Sequence, residues 1–243
     1  MDILGIIPAR YASTRFPGKP LVDIAGKSMI RRVYEQAKKC ADLSGLVVAT
    51  DDERIFNHVI DFGGLAEMTS PDHQSGTDRC AEVAKKHPQY DVIINIQGDE
   101  PYIDPAQIAL LAACFKNADT QIATLVKKVL TEQELFNPHS PKVVINKLSE
   151  AVYFSRSPLP HIRGQEQQNW LNYYIYFKHI GIYGYRAEIL KQITKLPVSS
   201  LEKAESLEQL RWIENGYRIK VAETEVETFA VDTPGDLINL KMR

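Results

Sequence analysis

The side chains best suited to phosphate chemistry lie in a loop near the start of the 243-residue sequence. Arg10, Arg15 and Lys19 fall close together, with the Ser13 hydroxyl between them and no acidic residue. The apolar run 3–7 before the loop predicts a buried strand, which the following prolines end. Open α/β sheets bind ligands at the carboxyl ends of their strands, so these cations predict a polyphosphate site. A solvated basic loop is the alternative.

The loop matches neither of two common phosphate-binding motifs. It lacks the Gly-x-x-x-x-Gly-Lys-Ser/Thr pattern of Walker loops, and no Gly-x-Gly-x-x-Gly follows the first strand. The second absence argues against a nicotinamide-dependent dehydrogenase.

Two aspartates follow predicted strands and could bind a hard cation. Asp99 comes after the apolar run 92–96, and Asp232 follows a short apolar stretch and precedes Thr233-Pro234, a helix start. Magnesium binds few protein carboxylates and takes its other oxygens from phosphate and water. A joint magnesium site facing the basic loop is therefore expected, although Asp99 could instead be a turn residue.

The segment Ser75-Gly76-Thr77 is placed at the start of a predicted helix, 76–86. Small side chains and free backbone amides there predict a surface for an anion or a base edge. Simple helix capping by Ser75 is the alternative.

Composition restricts the class of protein. The chain is 44% hydrophobic and 25% charged with a net charge of −2, so neither a nucleic-acid nor a membrane partner is expected. No signal peptide is expected, because a strand begins almost at once. Cys40, Cys80 and Cys114 are distant and odd in number. They predict free thiols and a cytoplasmic protein.

Strand and helix patterns alternate through the first half, which predicts an α/β fold with a doubly wound, mostly parallel sheet. The alternation of strands and helices ends near residue 128, and a β-hairpin is predicted after it. We therefore expect a core of residues 1–127 and 201–243 and a smaller, partly antiparallel subdomain of residues 128–200. Two local predictions are one helix over 201–215 and a capping box made by Thr50 and Glu53.

Taken in order, several segments resemble one family, the 3-deoxy-manno-octulosonate (KDO) cytidylyltransferases, or CMP-KDO synthetases. The resemblance covers nearly the whole chain. The segments that carry it are 9–21, 73–79, 97–101, Tyr153-Phe154-Ser155-Arg156, 178–186, 201–211 and Val231-Asp232-Thr233-Pro234.

This resemblance implies a sugar nucleotidyltransferase fold, a homodimer formed through the smaller subdomain, and conversion of CTP and KDO to CMP-KDO and pyrophosphate for lipopolysaccharide biosynthesis. It implies nucleotide binding by Pro8, Ala9, Arg10, Ser13, Arg15, Lys19, Gln74, Ser75, Gly76 and Asp99. It implies Mg²⁺ binding by Asp99 and Asp232, and sugar-acid binding by Gln97, Arg156, His179, Tyr183, Glu208 and Gln209.

The mechanistic hypothesis is an in-line attack of the KDO anomeric hydroxyl on the α-phosphorus of CTP. Magnesium on Asp99 and Asp232 would polarise the α-phosphate, while Arg10 and Lys19 offset the charge on the departing pyrophosphate. The alternatives are a cytidylyltransferase for another sugar acid, such as 8-amino-KDO or an acylneuraminate, and a non-catalytic nucleotide-binding homologue.

Overall fold

A computed structural model describes residues 1–12, 16–227, 229–231 and 233–241. The strands are β1 Ile3–Ala9, β2 Asp23–Ile24, β3 Lys27–Ser28, β4 Gly45–Thr50, β5 Ala66–Met68, β6 Val92–Asn95, β7 Ile122–Lys128, β8 Lys142–Ile145, β9 Ala151–Ser155, β10 Phe177–Arg186 and β11 Ile219–Glu223. The α-helices are α1 Met29–Ala37, α2 Glu53–Asp61, α3 Gly76–Lys86, α4 Pro105–Cys114, α5 Glu132–Phe136, α6 Ala187–Ile193, α7 Ser200–Glu205, α8 Gln209–Glu214 and α9 Pro234–Lys241.

Nine of the described strands form one sheet with the order β11-β7-β10-β6-β1-β4-β5, in which β8 pairs with β10 and β9 pairs with β8. Strands β2 and β3 form a separate two-stranded antiparallel sheet. The neighbouring pairs β6–β1, β1–β4, β4–β5 and β7–β11 are parallel. Strand β10 runs antiparallel to both β6 and β7. Hydrophobic clusters cover both faces of the sheet. The predicted α/β fold with a doubly wound, mostly parallel sheet is therefore confirmed.

The predicted smaller subdomain contains the antiparallel part of the sheet. β8 pairs with β9 in the expected hairpin, and β8 also pairs with the start of β10 at Phe177 and Lys178. Strand β10 then continues between β6 and β7, inside the main sheet. The stretch 157–176 packs around Trp170 and Tyr176, which are buried together with Leu135. The division of the chain at residues 128 and 200 stays a prediction.

The predicted continuous helix over 201–215 is wrong. Ser206 adopts a left-handed conformation with φ of 52° and ends α7, and α8 begins only at Gln209. The apolar period misled the prediction because Leu207 and Leu210 are both buried across the break. The break turns the chain where Glu208 meets α3.

The predicted capping box at Thr50 and Glu53 is also wrong. Asp52 is the residue that caps α2, because its carboxylate accepts a hydrogen bond from the Arg54 backbone N–H at 3.0 Å. The Thr50 hydroxyl instead accepts from the Asp52 backbone N–H at 3.2 Å. Aspartate and threonine are both favourable N-cap residues, so the spacing in the sequence could not show which of the two caps α2.

The packing of β10 against α4 generates a stability prediction. A Cβ atom at Gly184 would lie 2.5 Å from the ring of Phe115, which is buried against Leu111. We expect Gly184→Ala to lower the free energy of unfolding by about 1–3 kcal/mol, the usual cost of overpacking a core. The measurement is urea denaturation.

Gly181→Ala on the same strand is the matched control. A Cβ atom at Gly181 meets nothing within 4 Å, so this variant should stay within about 0.5 kcal/mol of the wild type. Equal stability of the two variants would contradict the packing argument.

Candidate active site

A cleft of about 350 Å³ opens where β1 and β6 end, at their carboxyl ends. Nine of the residues predicted to bind nucleotide, metal or sugar line it. These residues are Pro8, Ala9, Arg10, Lys19, Gln74, Ser75, Gly76, Gln97 and Asp99. His73, Pro20, Arg79 and Gly98 complete the lining, and sequence reasoning did not include them in the site.

A glycine allows the two strand ends to approach each other. A Cβ atom at Gly98 would lie 2.8 Å from the backbone oxygen of Pro8, a contact that real side chains avoid. The chain after β6 therefore packs directly on the end of β1, which fixes the position of Asp99 relative to the basic loop.

A cation and a carboxylate meet in the cleft. Lys19 Nζ lies 2.8 Å from Asp99 Oδ2, and both side chains are mostly buried. Lys19 opens a short 3₁₀ turn, and Gly18 before it has φ of 71°, a conformation that favours glycine. The turn directs Lys19 back over the sheet edge, so that one positive and one negative group face the same space.

The base of the basic loop is closed by Tyr11. The Gly18 backbone N–H donates to the Tyr11 carbonyl at 3.0 Å. The Arg54 guanidinium lies 3.3 Å from the centre of the Tyr11 ring, and Asp52 holds that guanidinium through two hydrogen bonds. The Gly18–Tyr11 hydrogen bond thus closes the loop, and the cation–π contact with Arg54, which the cap residue of α2 holds, fixes its Tyr11 end. No sequence motif pointed to Arg54.

The N-terminus of α3 forms the opposite wall. Ser75 and Asp78 make a capping box: the Ser75 hydroxyl accepts from the Asp78 backbone N–H at 3.1 Å, and the Asp78 carboxylate accepts from the Ser75 backbone N–H at 3.2 Å. The predicted helix 76–86 is confirmed. Ser75 lines the cleft as well as capping the helix, so the two readings of this segment are compatible.

A network of hydrogen bonds and one ion pair around Glu82 supports the segment that leads into α3. His73 Nε2 lies 2.6 Å from Glu82 Oε2, which also accepts from the Ser70 backbone N–H at 2.9 Å, and Lys86 lies 3.1 Å from Glu82 Oε1. Burial alone would raise the pKa of Glu82, but these three partners together lower it to about 2. Glu82 is therefore ionised at neutral pH and holds His73 at the rim of the cleft.

The remaining predicted sugar-binding residues lie outside the lining of the cleft, and we call them the second cluster. They are Arg156, His179, Tyr183, Glu208 and Gln209. The His179 ring contacts the rings of Phe154 and Tyr183, with centroids 5.3 and 5.1 Å away. Burial lowers the pKa of His179 to about 3 and raises the pKa of Tyr183 well above its usual value. Gln209 is buried at the start of α8. Apart from Arg156, this cluster is formed by groups that are neutral at pH 7 or largely withdrawn from water.

Arg156 is held by the turn between α7 and α8. Its guanidinium donates to the backbone oxygens of Glu205 at 2.7 Å, Pro138 at 2.9 Å and Ser206 at 3.2 Å. The Arg156 backbone N–H donates to the Glu205 carboxylate at 3.0 Å. The position of this cation is therefore set by the break in the predicted helix.

A hydrogen bond connects the second cluster to α3, the helix whose N-terminal residues Ser75 and Gly76 line the cleft. The Thr77 hydroxyl on α3 donates to Glu208 Oε2 at 2.7 Å. Burial raises the pKa of Glu208, and the bond from Thr77 opposes that rise. No local sequence pattern predicts this pair, because 131 residues separate its members.

Three predicted site residues, Ser13, Arg15 and Asp232, lie outside the described residues. Asp99 is the described member of the expected aspartate pair. Its backbone carbonyl accepts a hydrogen bond from the Val231 N–H at 2.9 Å. The described part of the chain contains no helix long and apolar enough to span a membrane.

This sheet and the charged cleft at its carboxyl edge define an α/β protein of the nucleotidyltransferase class. The cytidylyltransferase family model matches residues 4–220. Relatives named 3-deoxy-manno-octulosonate cytidylyltransferase are 60% identical in Parabacteroides distasonis and 57% identical in Bacteroides thetaiotaomicron. Both alignments cover 98% of this chain and 96% of the relative.

A solved structure of CMP:2-keto-3-deoxy-manno-octonic acid synthetase complexed with CTP is also similar. It has a TM-score of 0.92 and 43% sequence identity, with 100% of this chain and 98% of that chain covered. The chain belongs to the family of 3-deoxy-manno-octulosonate cytidylyltransferases, as its sequence motifs predicted.

The Glu82 ion pairs generate a pH-dependent prediction. The folded-state pKa of about 2 lies below the ordinary value of 4.5, so the stabilisation is complete above pH 4.5 and is lost as the pH falls towards 2. We expect Glu82→Gln to lower the free energy of unfolding at pH 7 by about 1–2 kcal/mol, a figure reduced for partial exposure. Urea denaturation across pH should show this difference narrowing below pH 4.5.

Glu188→Gln is the control, because Glu188 is 79% exposed and lies 3.6 Å from Lys191. Its effect should stay below about 0.5 kcal/mol at every pH. A Glu82→Gln effect that is constant with pH would rule out the ion pairs as its cause.

Proposed function

We propose that the protein transfers the cytidylyl group of CTP to the anomeric hydroxyl of KDO and releases pyrophosphate. The observation that carries this proposal is the cleft in which Arg10, Lys19 and Asp99 meet, in a chain 60% identical to a 3-deoxy-manno-octulosonate cytidylyltransferase over 98% of its length. The hydroxyl oxygen forms a bond to the α-phosphorus, the bond from that phosphorus to the bridging oxygen breaks, and the hydroxyl proton passes to solvent.

The residues of the cleft act by binding and charge stabilisation. Arg10 and Lys19 bind the phosphates and stabilise the charge that develops on the departing pyrophosphate. The N-terminus of α3, at Ser75 and Gly76, presents small side chains and backbone amides to the nucleotide. Tyr11 and Arg54 hold the loop that carries the phosphate-binding cations. Catalysis in this cleft depends on orientation and electrostatics.

The donor set of the cleft fits magnesium. Asp99 offers carboxylate oxygens at the cleft, and the described residues contain no group of three His, Cys, Asp or Glu side chains that could enclose a metal. This fits an ion that takes its remaining ligands from phosphate and water. Asp99 and Asp232 would hold the ion, which supplies positive charge at the α-phosphate. The hydrogen bond from Val231, the residue before Asp232, to Asp99 supports the pairing.

The sugar acid is assigned to the second cluster. Arg156 provides a cation for the KDO carboxylate, and Gln97, His179, Tyr183, Glu208 and Gln209 provide groups for its hydroxyls. Gln97 lines the nucleotide cleft, and the bond between Thr77 and Glu208 joins the two regions. These positions support transfer between a nucleotide in the cleft and a sugar bound beside it.

The test of substrate and reaction is pyrophosphate release from CTP and Mg²⁺ with KDO, 8-amino-KDO or N-acetylneuraminate supplied separately. Release with KDO alone, abolished by chelation, is the expected result. Release with one of the other acids would support the proposed reaction but show that KDO is not the preferred substrate. CTP binding without release would instead favour a non-catalytic homologue.

Asp99→Asn tests the metal site. We expect kcat/KM to fall at least about 100-fold, because the variant loses the charge that binds the ion. Asp104→Asn is the matched control. Asp104 caps α4 by accepting from the Ala106 backbone N–H at 2.8 Å, and asparagine caps a helix equally well. An unchanged kcat/KM in Asp99→Asn would show that Asp99 does not bind the metal ion.

We also propose a homodimer formed through the smaller subdomain. Its support is a run of exposed apolar side chains, Tyr173, Tyr174 and Ile175, in that part of the chain. Ile175→Asp should lower the dimer fraction in sedimentation velocity. Leu65 is 63% exposed but lies outside the smaller subdomain, so Leu65→Asp should leave the dimer fraction unchanged. A wild type that is monomeric at micromolar concentration would contradict the proposal.

The proposed setting is KDO activation for lipopolysaccharide biosynthesis in the cytoplasm. Support comes from the reaction named for the relatives and from Cys40, Cys80 and Cys114, which are free thiols. Burial raises the pKa of Cys80 and Cys40, which suits structural thiols in a reducing compartment.

A further inference from the structure

The pairing of β10 with β7 is irregular next to His179. Ile180 pairs with Leu125, and Tyr183 pairs with the adjacent residue of β7, Thr124. Two residues of β10 are therefore inserted between neighbouring pairs. An insertion of two keeps the alternation of side chains, so Ile180 still faces one hydrophobic cluster and Tyr183 the other.

The Thr124 side chain fills this irregular stretch. Thr124 is fully buried, and its Oγ1 lies 2.8 Å from the backbone oxygen of Ile182 and 3.4 Å from that of Ile180. The same oxygen lies 2.9 Å from His179 Nε2. One hydroxyl group thus faces two carbonyl oxygens and a ring nitrogen.

The single proton of this hydroxyl determines the protonation of the ring nitrogen. A hydroxyl has one proton to donate, and two oxygens 2.8 Å apart with no proton between them repel each other. Thr124 therefore donates to Ile182, and its oxygen accepts from His179. His179 must then carry its proton on Nε2.

The opposite ring nitrogen is left as an acceptor. Burial lowers the pKa of His179 to about 3, so the ring is neutral and has one N–H group at physiological pH. Among the described residues no hydrogen-bond partner of Nδ1 is found, and Nδ1 is not one of the polar atoms closed off from solvent. A neutral, half-buried histidine with a free acceptor nitrogen is suited to a ligand hydroxyl.

We propose that Thr124 is a positioning residue that holds His179 as the Nε2–H tautomer, so that Nδ1 accepts a hydrogen bond from a hydroxyl of the sugar acid. The identity of that ligand rests on the proposed function. Phe154 and Tyr183 contact the ring and fix its plane, and the inserted residues of β10 bring the Ile182 carbonyl to the Thr124 hydroxyl.

Nuclear magnetic resonance of the ligand-free protein tests the tautomer directly. In protein labelled with ¹⁵N-histidine, long-range proton–nitrogen correlations distinguish the two tautomers, and His179→Gln assigns the signal among six histidines. We expect a protonated Nε2 and an unprotonated Nδ1 in the wild type. A proton on Nδ1 would overturn the proposal without any mutation of Thr124.

Thr124→Val and Thr124→Ser form the matched pair, because valine has the shape of threonine without its hydroxyl and serine keeps the hydroxyl. Partial protonation of Nδ1 should appear in Thr124→Val and be absent in Thr124→Ser. His58, which lies 2.7 Å from the Ser28 hydroxyl, is the internal control and should keep its signals. A pure Nε2–H tautomer in Thr124→Val would overturn the role of the hydroxyl.

Steady-state kinetics test the consequence for the ligand. Thr124→Val should raise the KM for KDO about fivefold to tenfold, the effect of one weakened hydrogen bond, with the KM for CTP within twofold. Thr124→Ser, which keeps the hydroxyl, should have a KM for KDO close to that of the wild type. Equal changes in both KM values would indicate a general structural role and overturn positioning. A wild type that is inactive with KDO would contradict the proposed function. In that case the NMR measurement of the His179 tautomer would still test the role of Thr124.

Discussion

The contact between Gly98 and the backbone oxygen of Pro8 determines the geometry of the cleft. Strands β1 and β6 are parallel neighbours, so their carboxyl ends meet at one edge of the sheet. Any side chain at position 98 would separate those ends, because its Cβ atom would lie 2.8 Å from the Pro8 oxygen. The approach allows Lys19, from the turn after β1, to reach Asp99, from the turn after β6. A positive and a negative side chain are thereby held close together at the carboxyl edge of the sheet.

The hydrogen bond between Thr77 and Glu208 connects this charged cleft with the second cluster. It requires the chain to leave the helical path at Ser206, since a continuous helix would give Glu208 another direction. The same break exposes the backbone oxygens of Glu205 and Ser206 that hold Arg156. A left-handed serine is an uncommon choice for a helix end, and here two contacts of the site depend on it.

The sequence predicted the parts of the site that depend on local patterns. The basic loop after β1, the acid after β6 and the start of α3 each follow a strand or precede a helix, and the order of elements fixes which edge of the sheet they share. The comparisons bear out the fold and the family.

The remaining features depend on contacts between distant segments, which no local pattern encodes. The contacts between Tyr11 and Arg54 and between Thr77 and Glu208 join residues far apart in the chain. The helix prediction over 201–215 failed because an apolar period survives a one-turn break when Leu207 and Leu210 still reach the core. Similarly, the insertion in β10 preserves alternation and so leaves no trace in the hydrophobic pattern.

The two regions differ in electrostatics in a way that suits their proposed ligands. The cleft carries charges that are partly exposed, as a highly charged triphosphate and a metal ion require. In the second cluster, burial keeps His179 neutral and raises the pKa of Glu208, and Glu208 accepts a hydrogen bond from Thr77, so most of these groups act through hydrogen bonds. Arg156 is the exception, and three of its five N–H groups donate to backbone oxygens. Those bonds fix the guanidinium without neutralising it, and two N–H groups remain for a carboxylate. A fixed cation beside several hydrogen-bonding side chains suits a sugar acid, which has one charge and many hydroxyls.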